Sequence, residues 1–378
     1  FRLMANVEEL ERALAYPWER WTVFLHPAQR QWVERDYAGP ARVSGSAGTG
    51  KTIVALHRAV FLARRHPEAR VLLTTFSDIL ANALRTKLKR LISNEPRLAE
   101  RLEVHAIQGI GERLFKLHVG VPKLASRAAL VQSIADASHE LGGHKLSPQF
   151  LVTEWDQVVD AWQLDSWEAY RDVKRLGRKT RLPEAQRATL WSIFERVRTS
   201  LREAGLTTHA AVFNRLATVL AEASTPVFDF AVIDESQDLG VPHLRFLAAL
   251  GGGRPNGLFF AGDLGQRIFQ QPFSWKALGV DVRGRSRTLQ VNYRTSHQIR
   301  MQADRLLAPT VADVDGNTET RDKTVSLFNG PPPTITVAKT ADEETELVAA
   351  WLTARSGEGL APHELGVIVR SPAEIERA

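Results

Sequence analysis

The sequence contains no cysteine, which excludes a disulfide framework and any metal site built on thiolates. Long apolar segments are also missing, because no run approaches the roughly 20 residues that a membrane-spanning helix needs. The first residues lack the order of charged, apolar and small residues that marks a signal peptide. These absences favour a cytoplasmic protein in a reducing compartment, with no membrane partner.

Composition indicates a globular chain that prefers polyanions. Hydrophobic residues make up 44% and charged residues 24% of the 378 residues, and this length suffices for two or three domains. The formal net charge is +6 and the isoelectric point is about 9.7. A modest positive excess favours a polyanionic partner over an acidic surface.

The segment VSGSAGTGKT, residues 43–52, follows a short apolar run and precedes the helical pattern IVALHRAVFLARR. This order predicts strand, glycine-rich turn and helix, and the glycines let backbone N–H groups surround a polyphosphate at the helix N-terminus. Lys51 can reach the outer phosphates and Thr52 a Mg²⁺ ion. The alternative is a glycine-rich turn before an ordinary helix. The predicted phosphate-binding residues are Gly45, Ser46, Ala47, Gly48, Thr49, Gly50, Lys51 and Thr52.

Carboxylates follow a buried strand pattern in FDFAVIDESQDL, which starts at residue 228. Such groups are costly at a strand end unless a metal or water chemistry uses them. We predict that Asp234 holds Mg²⁺ beside Thr52 and that Glu235 is the general base for an attacking water. The alternative is a strand that ends in an acidic turn.

Two further residues, Gln29 and Gln266, offer contacts to the nucleotide. Gln29 follows Pro27, which can open a helix, and its amide offers the donor and acceptor that read an adenine edge. An exposed helical glutamine is the alternative. Gln266 follows the apolar strand pattern GLFFAGD and is suited to sensing the γ-phosphate. Tyr293 and Arg294 lie where TLQVNYRTSHQIR changes from strand to helix.

Aromatic residues near strand ends are candidates for contact with nucleobases. Phe269 and Trp275 offer flat faces, and stacking on such a face contributes about 1–3 kcal/mol per base without sequence preference. Phe76 ends the run RVLLTTF, where a core position is the alternative. His105 ends a short strand-like run, LEVHAIQG.

Strand and helix patterns alternate on both sides of a long helical segment. This alternation predicts an α/β fold with a parallel sheet, whose ligands bind at the carboxyl ends of the strands. The helical segment contains four tryptophans, which we interpret as core. The end of the chain reads strand, helix, strand in TITVAKT, ADEETELVAAWLTARSG and LGVIVR, after a separating loop DVDGNTETRDK. The tryptophans are Trp155, Trp162, Trp167 and Trp191.

The motifs GSAGTGKT, VIDESQD, GDLGQ and VNYR, in this order and with a long helical insertion after the first, resemble the UvrD/Rep-type branch of superfamily 1 DNA helicases. The resemblance implies two RecA-like lobes with Mg-ATP between them and single-stranded or tailed DNA across their tops, travelled 3′ to 5′. It implies that Gln29 reads adenine, Tyr293 stacks on it, and Gln266 and Arg294 reach the γ-phosphate. Phe76, Phe269, Trp275 and His105 fall near positions that contact DNA.

The resemblance covers about residues 25–378 and stops before the family's last two motifs. We therefore expect the N-terminal ATP-binding part of a longer protein, with weak or no turnover by itself. An RNA-directed motor of the same superfamily is one alternative, because the motifs do not test for a 2′-hydroxyl. A nucleotide-dependent regulatory switch that unwinds nothing is another. The predicted divisions are an N-terminal helix (1–22), a first RecA-like lobe (23–86 and 207–285), a helical insertion (87–206) and the start of a second RecA-like lobe (286–378).

Overall fold

The computed structural model describes residues 25–93, 95–177, 182–267 and 271–378, so the helix expected over 1–22 lies outside the described residues. Several helices begin where serine or threonine accepts a backbone N–H at the N-cap, as Ser77 does from Leu80. The helices are α1 Pro27–Glu34, α2 Lys51–Arg65, α3 Asp78–Leu91, α4 Pro96–Ala99, α5 Ile107–His118, α6 Arg127–Leu141, α7 Pro148–Glu154, α8 Trp167–Asp172, α9 Glu184–Glu203, α10 His209–Glu222, α11 Val241–Gly251, α12 His297–Asp304 and α13 Ala341–Gly357.

Six parallel strands form the central sheet, in the order β3-β2-β4-β5-β1-β6. Strands β2 and β5 are buried at every position, as expected for parallel strands that helices cover on both faces. This sheet confirms the predicted α/β class. The strands are β1 Ala41–Ser44, β2 Val71–Thr75, β3 Leu102–Ala106, β4 Phe230–Ile233, β5 Leu258–Gly262, β6 Ser286–Thr288, β7 Val291–Asn292, β8 Thr310–Ala312, β9 Thr318–Thr320 and β10 Val325–Ser326.

Two strands of the sheet come from ranges that we had assigned elsewhere. Strand β3 lies inside the predicted helical insertion, yet it pairs with β2 along its whole length. Strand β6 begins just after the predicted end of the first lobe and pairs with β1. The sheet therefore includes strands from outside the two ranges predicted for the first lobe, 23–86 and 207–285.

Helices α6 to α9, with the segments that connect them, form a separate apolar cluster that includes Trp155 and Trp191. Trp167 packs against the same cluster, in agreement with a core role. Trp162 instead packs against the core beneath the sheet, beside α10 and α11. Among the residues that the structure describes, no helix is both long and apolar enough to cross a membrane.

The predicted separating loop DVDGNTETRDK is instead part of a hairpin. Strands β8 and β9 pair antiparallel, and Asp313 closes the turn by accepting backbone N–H groups from Asp315 and Asn317. An aspartate that accepts backbone N–H groups in this way stabilises a tight turn. The segment 310–320 is therefore a folded element, which we call the acidic hairpin.

Residues 330–378 form a second compact unit built on α13. The predicted strands TITVAKT and LGVIVR are wrong for this structure, because neither is assigned as a strand. Val337 is 87% exposed and Ile368 98% exposed. A strand needs a paired neighbour and a covered face, and these segments have neither among the described residues.

Candidate nucleotide site at the carboxyl edge of the sheet

Parallel strands bring the predicted catalytic segments to one edge of the sheet. The glycine-rich loop follows β1, Asp234 follows β4, and the turn that carries Gln266 follows β5. Strand β5 pairs with both β1 and β4, so these three segments are direct neighbours. Ligands of open parallel sheets bind at this edge.

The loop of residues 45–50 has a backbone that only glycine builds easily. Gly48 and Gly50 have φ angles of 89° and 85°. A Cβ atom at Gly48 would lie 2.5 Å from Asn292 Oδ1, and one at Gly50 would lie 2.6 Å from Gln29 Nε2. These two positions therefore require glycine for two reasons: their φ angles are positive, and the Asn292 and Gln29 side chains leave no room for a Cβ atom. Helix α2 begins at Lys51 and directs its N-terminus at the loop, which favours an anion.

Lys51 is buried and its Nζ bends back over the loop. It donates to the carbonyl oxygens of Gly45, 2.8 Å away, and Ser46, 3.1 Å away. The Ser46 hydroxyl is buried and has no hydrogen-bond partner among the described residues. The loop thus offers a cation and an unpaired hydroxyl to a polyphosphate.

Asp234 has the properties of a magnesium ligand. It is 4% exposed, it accepts a hydrogen bond from Thr52, and burial together with the neighbouring Glu235 carboxylate raises its pKa to about 7. Its Oδ1 is buried without a hydrogen-bond partner in the described part of the chain. Mg²⁺ prefers oxygen ligands and is usually held by one or two carboxylates and substrate phosphates, so Asp234 and Thr52 fit it.

Glu235 stands next to Asp234 with a left-handed backbone, φ 53°. A non-glycine residue in this region is strained, and such residues cluster at functional sites. Its Oε2 accepts a hydrogen bond from Gln237 Nε2 at 2.7 Å, and Gln237 Oε1 accepts one from Asp263 N at 3.1 Å. Gln237 therefore links the predicted base to the turn after β5. Sequence reasoning did not assign this role, although the residue lies inside DESQD.

Gln29 and Tyr293 meet at the other side of the loop. Gln29 is 5% exposed, so the alternative of an exposed glutamine is wrong. Its Nε2 donates to Thr49 O at 3.0 Å, and its Oε1 accepts from His26 N at 3.1 Å. Tyr293 donates its backbone N–H to Gly48 O, and its ring lies 5.4 Å from that of His26. Burial raises the pKa of the Tyr293 hydroxyl to about 12.

Asn292 fastens the VNYR segment to the loop, a role that the sequence did not reveal. Its Nδ2 donates to Ala47 O at 2.7 Å. The Cβ atom of Arg294 lies beside Gly48, since a Cβ built on that glycine would be 3.1 Å away from it. Arg294 itself is exposed. The structure thus brings this arginine to the phosphate loop.

Gln266 lies in the short helical turn Leu264–Gln266 and is exposed. The turn begins at Asp263, which is 1% exposed and accepts the Gly265 N–H at 2.8 Å. The position next to β5 agrees with a residue that reaches toward bound phosphate. The acidic hairpin contacts this turn as well.

The candidate nucleobase contacts differ in accessibility. Phe76 is 45% exposed at the end of β2. Trp275 is 6% exposed, with its ring 4.9 Å from Phe260 and beneath the Arg42 guanidinium. The stacking prediction for Trp275 is therefore wrong in this structure, because the ring is buried against Phe260 and Arg42. Phe269 lies outside the described residues.

His105 is partly engaged within the protein. Its Nε2 lies 3.2 Å from Glu103 Oε2 and 3.3 Å from Arg113 Nη1. On the neighbouring helix α3, Lys89 and Arg90 are exposed.

A comparison with family models matches residues 25–272 to the UvrD/REP helicase N-terminal domain. The matched range contains Gln29, the phosphate loop, Asp234, Glu235 and Gln266. Tyr293 and Arg294 lie beyond it. No curated protein matches the chain in a sequence search.

Proposed function

Because the chain belongs to the UvrD/REP helicase family, we propose that it is an ATP-hydrolysing motor that travels 3′ to 5′ along single-stranded or tailed DNA. The observation that carries the proposal is the hydrogen bond between Thr52 and Asp234, whose second oxygen is buried and unpaired. This pair supports the proposal, because it sets a buried carboxylate with one unpaired oxygen directly beside the phosphate loop. A buried carboxylate oxygen without a hydrogen-bond partner is uncommon and calls for an explanation, which a bound cation would supply.

The chain's own residues supply each requirement of phosphoryl transfer to water. Lys51 and the loop N–H groups would bind the β- and γ-phosphates, while Asp234 and Thr52 would hold Mg²⁺. Mg²⁺, when bound, neutralises phosphate charge as the leaving group departs. Glu235 takes the proton of the attacking water, and Gln237 orients its carboxylate. Gln266 and Arg294 contact the γ-phosphate oxygens.

Adenine binding falls to Gln29 and Tyr293. The amide of Gln29 retains one N–H and one lone pair beyond the bonds it makes to Thr49 and His26. These suffice for a two-point contact with an adenine edge. Tyr293 provides the stacking face, for which its ring would separate from His26.

Steady-state ATP hydrolysis by the full-length protein tests the proposal, measured without polymer, with a single-stranded DNA oligonucleotide and with an RNA of the same sequence. We expect the largest stimulation by DNA and its loss in Lys51→Ala. Greater stimulation by RNA would favour the RNA-directed motor. A rate that neither polymer changes would favour the regulatory switch.

A further inference from the structure

The acidic hairpin holds the turn that carries Gln266. Glu319, at the centre of β9, accepts the backbone N–H of Leu264 through its Oε2 at 3.2 Å. Arg321, directly after β9, donates from Nη1 to Asp263 Oδ1 at 3.0 Å. The same nitrogen lies 3.4 Å from Glu319 Oε1. Glu319 and Arg321, which are distant from the turn in sequence, therefore contact two consecutive turn residues, Leu264 and Asp263.

These three charged side chains are almost fully buried. Asp263 and Glu319 are each 1% exposed, and Arg321 is 6% exposed. Removing one partner from such a group leaves an uncompensated buried charge, which is strongly unfavourable. With Arg321 absent, two carboxylates would face each other beside the turn.

Gly265 is shaped for the same contact. A Cβ atom on this residue would overlap Arg321 Nη1, so the missing side chain leaves the room that the guanidinium fills. The φ angle of Gly265 is not positive, so backbone conformation does not explain why a glycine stands here. The space that the Arg321 guanidinium occupies does explain it.

A chain of hydrogen bonds continues from the turn to the predicted base. The backbone N–H of Asp263 donates to Gln237 Oε1, and Gln237 Nε2 donates to Glu235 Oε2. Displacement of Asp263 would therefore release both the Gln266 turn and the Glu235 carboxylate.

We propose that Arg321 and Glu319 are positioning residues, which fix the Asp263–Gln266 turn so that Gln266 contacts the γ-phosphate while Glu235 takes the proton of the attacking water. This inference rests on the proposed ATP hydrolysis. Neither residue needs to touch the nucleotide.

Amide hydrogen exchange in the nucleotide-free full chain tests the structural part. Arg321→Ala should speed exchange at the Leu264 and Gly265 amides by about tenfold or more, because their acceptors lose their fixed positions. Asp315→Ala is the matched control from the same hairpin. Asp315 accepts from Trp275 N and Lys276 N, so this variant should free those two amides and leave Leu264 and Gly265 protected.

Unchanged exchange at Leu264 and Gly265 in folded Arg321→Ala would overturn the proposal. Equal acceleration by Asp315→Ala would also overturn it, because the hairpin would then support the turn only in a general way. If Arg321→Ala does not fold, Arg321→Lys decides, since it keeps the charge and loses the fork geometry. Arg321→Lys should speed exchange at the same two amides relative to the parent, and unchanged exchange there would overturn the proposal.

Nucleotide binding tests the functional part. The parent should bind Mg-ADP with aluminium fluoride, a mimic of the transferring phosphate, more tightly than Mg-ADP alone. Arg321→Ala should keep its ADP affinity and lose about tenfold of that preference, whereas Asp315→Ala should keep both. A parent that binds neither nucleotide refutes the proposed function and with it this role. A parent that binds both, with an unchanged preference in Arg321→Ala, refutes the positioning role alone.

Discussion

The side-chain amide of Asn292 donates a hydrogen bond to Ala47 O, 2.7 Å away, and so ties β7 to the phosphate loop. The Oδ1 of the same amide accepts the backbone N–H groups of Arg294, at 3.0 Å, and Thr295, at 2.9 Å. The buried Asn292 side chain therefore fixes both the phosphate loop and the backbone of Arg294.

Replacing Asn292 by alanine should weaken nucleotide binding. The change leaves Ala47 O and two backbone N–H groups without partners, and each unsatisfied buried group costs about 1–3 kcal/mol. We expect a lower urea midpoint and a weaker affinity for a fluorescent ADP analogue. Asn292→Asp is the informative comparison, because it keeps the acceptor for Arg294 and Thr295 but sets a carboxylate oxygen against the Ala47 carbonyl, so it should weaken ADP binding as well. An ADP affinity unchanged in both variants would show that the tie does not matter for binding.

Trp275 and Phe76 should respond in opposite ways to truncation. Trp275→Ala removes a core side chain and should destabilise the protein by about 3–5 kcal/mol. Phe76→Ala should change stability little and weaken single-stranded oligonucleotide binding by about 1–3 kcal/mol. Urea unfolding and fluorescence anisotropy with a labelled oligonucleotide measure the two effects. A Trp275→Ala protein of parental stability but reduced affinity would restore this residue as a stacking platform.

Asp160 should make stability depend on pH. It accepts hydrogen bonds from Thr208 and Gln163, but burial dominates and raises its pKa from 3.8 to about 6. Between these values the folded protein holds more protons than the unfolded chain, so this group's contribution to stability falls as pH rises.

Asp160→Asn should remove that slope. Because the amide oxygen can still accept both hydrogen bonds, the variant should be more stable than the parent by about 1–3 kcal/mol above pH 6. The two proteins should converge near pH 4. Urea unfolding at pH 4 and at pH 8 measures the difference in stability. Asp136→Asn, at an exposed position, is the control. Equal stability at pH 8 would mean that Asp160 is ionised without penalty.

Sequence reasoning succeeded where a local pattern specifies the structure. The continuous apolar runs VLLTT, FAVI and LFFAG predict buried parallel strands, and all three are strands of the sheet. Together with the family match, this sheet confirms the RecA-like P-loop class. Glycine spacing predicted the loop, because few other functions require left-handed glycines directly before a helix with lysine and threonine.

Other features depend on partners far away in the sequence. A tryptophan that stacks on a base and one that packs on Phe260 look alike in a sequence, and so Trp275 was assigned wrongly. Arg321 meets Asp263 across 58 positions, and no local pattern marks that pairing. The run TITVAKT has the composition of a strand, but a strand forms only beside a neighbour.

Hydrolysis of Mg-ATP by the full-length parent and by its Glu235→Gln variant, at saturating nucleotide and with single-stranded DNA, tests the central claim most directly. General-base catalysis contributes about 10²–10⁴ in rate, so the variant should be slower by at least about 100-fold while its affinity for a fluorescent ATP analogue stays at the parental value. Glu203→Gln, on an exposed helix end, should retain the parental rate. A Glu235→Gln protein that hydrolyses ATP as fast as the parent would contradict the account.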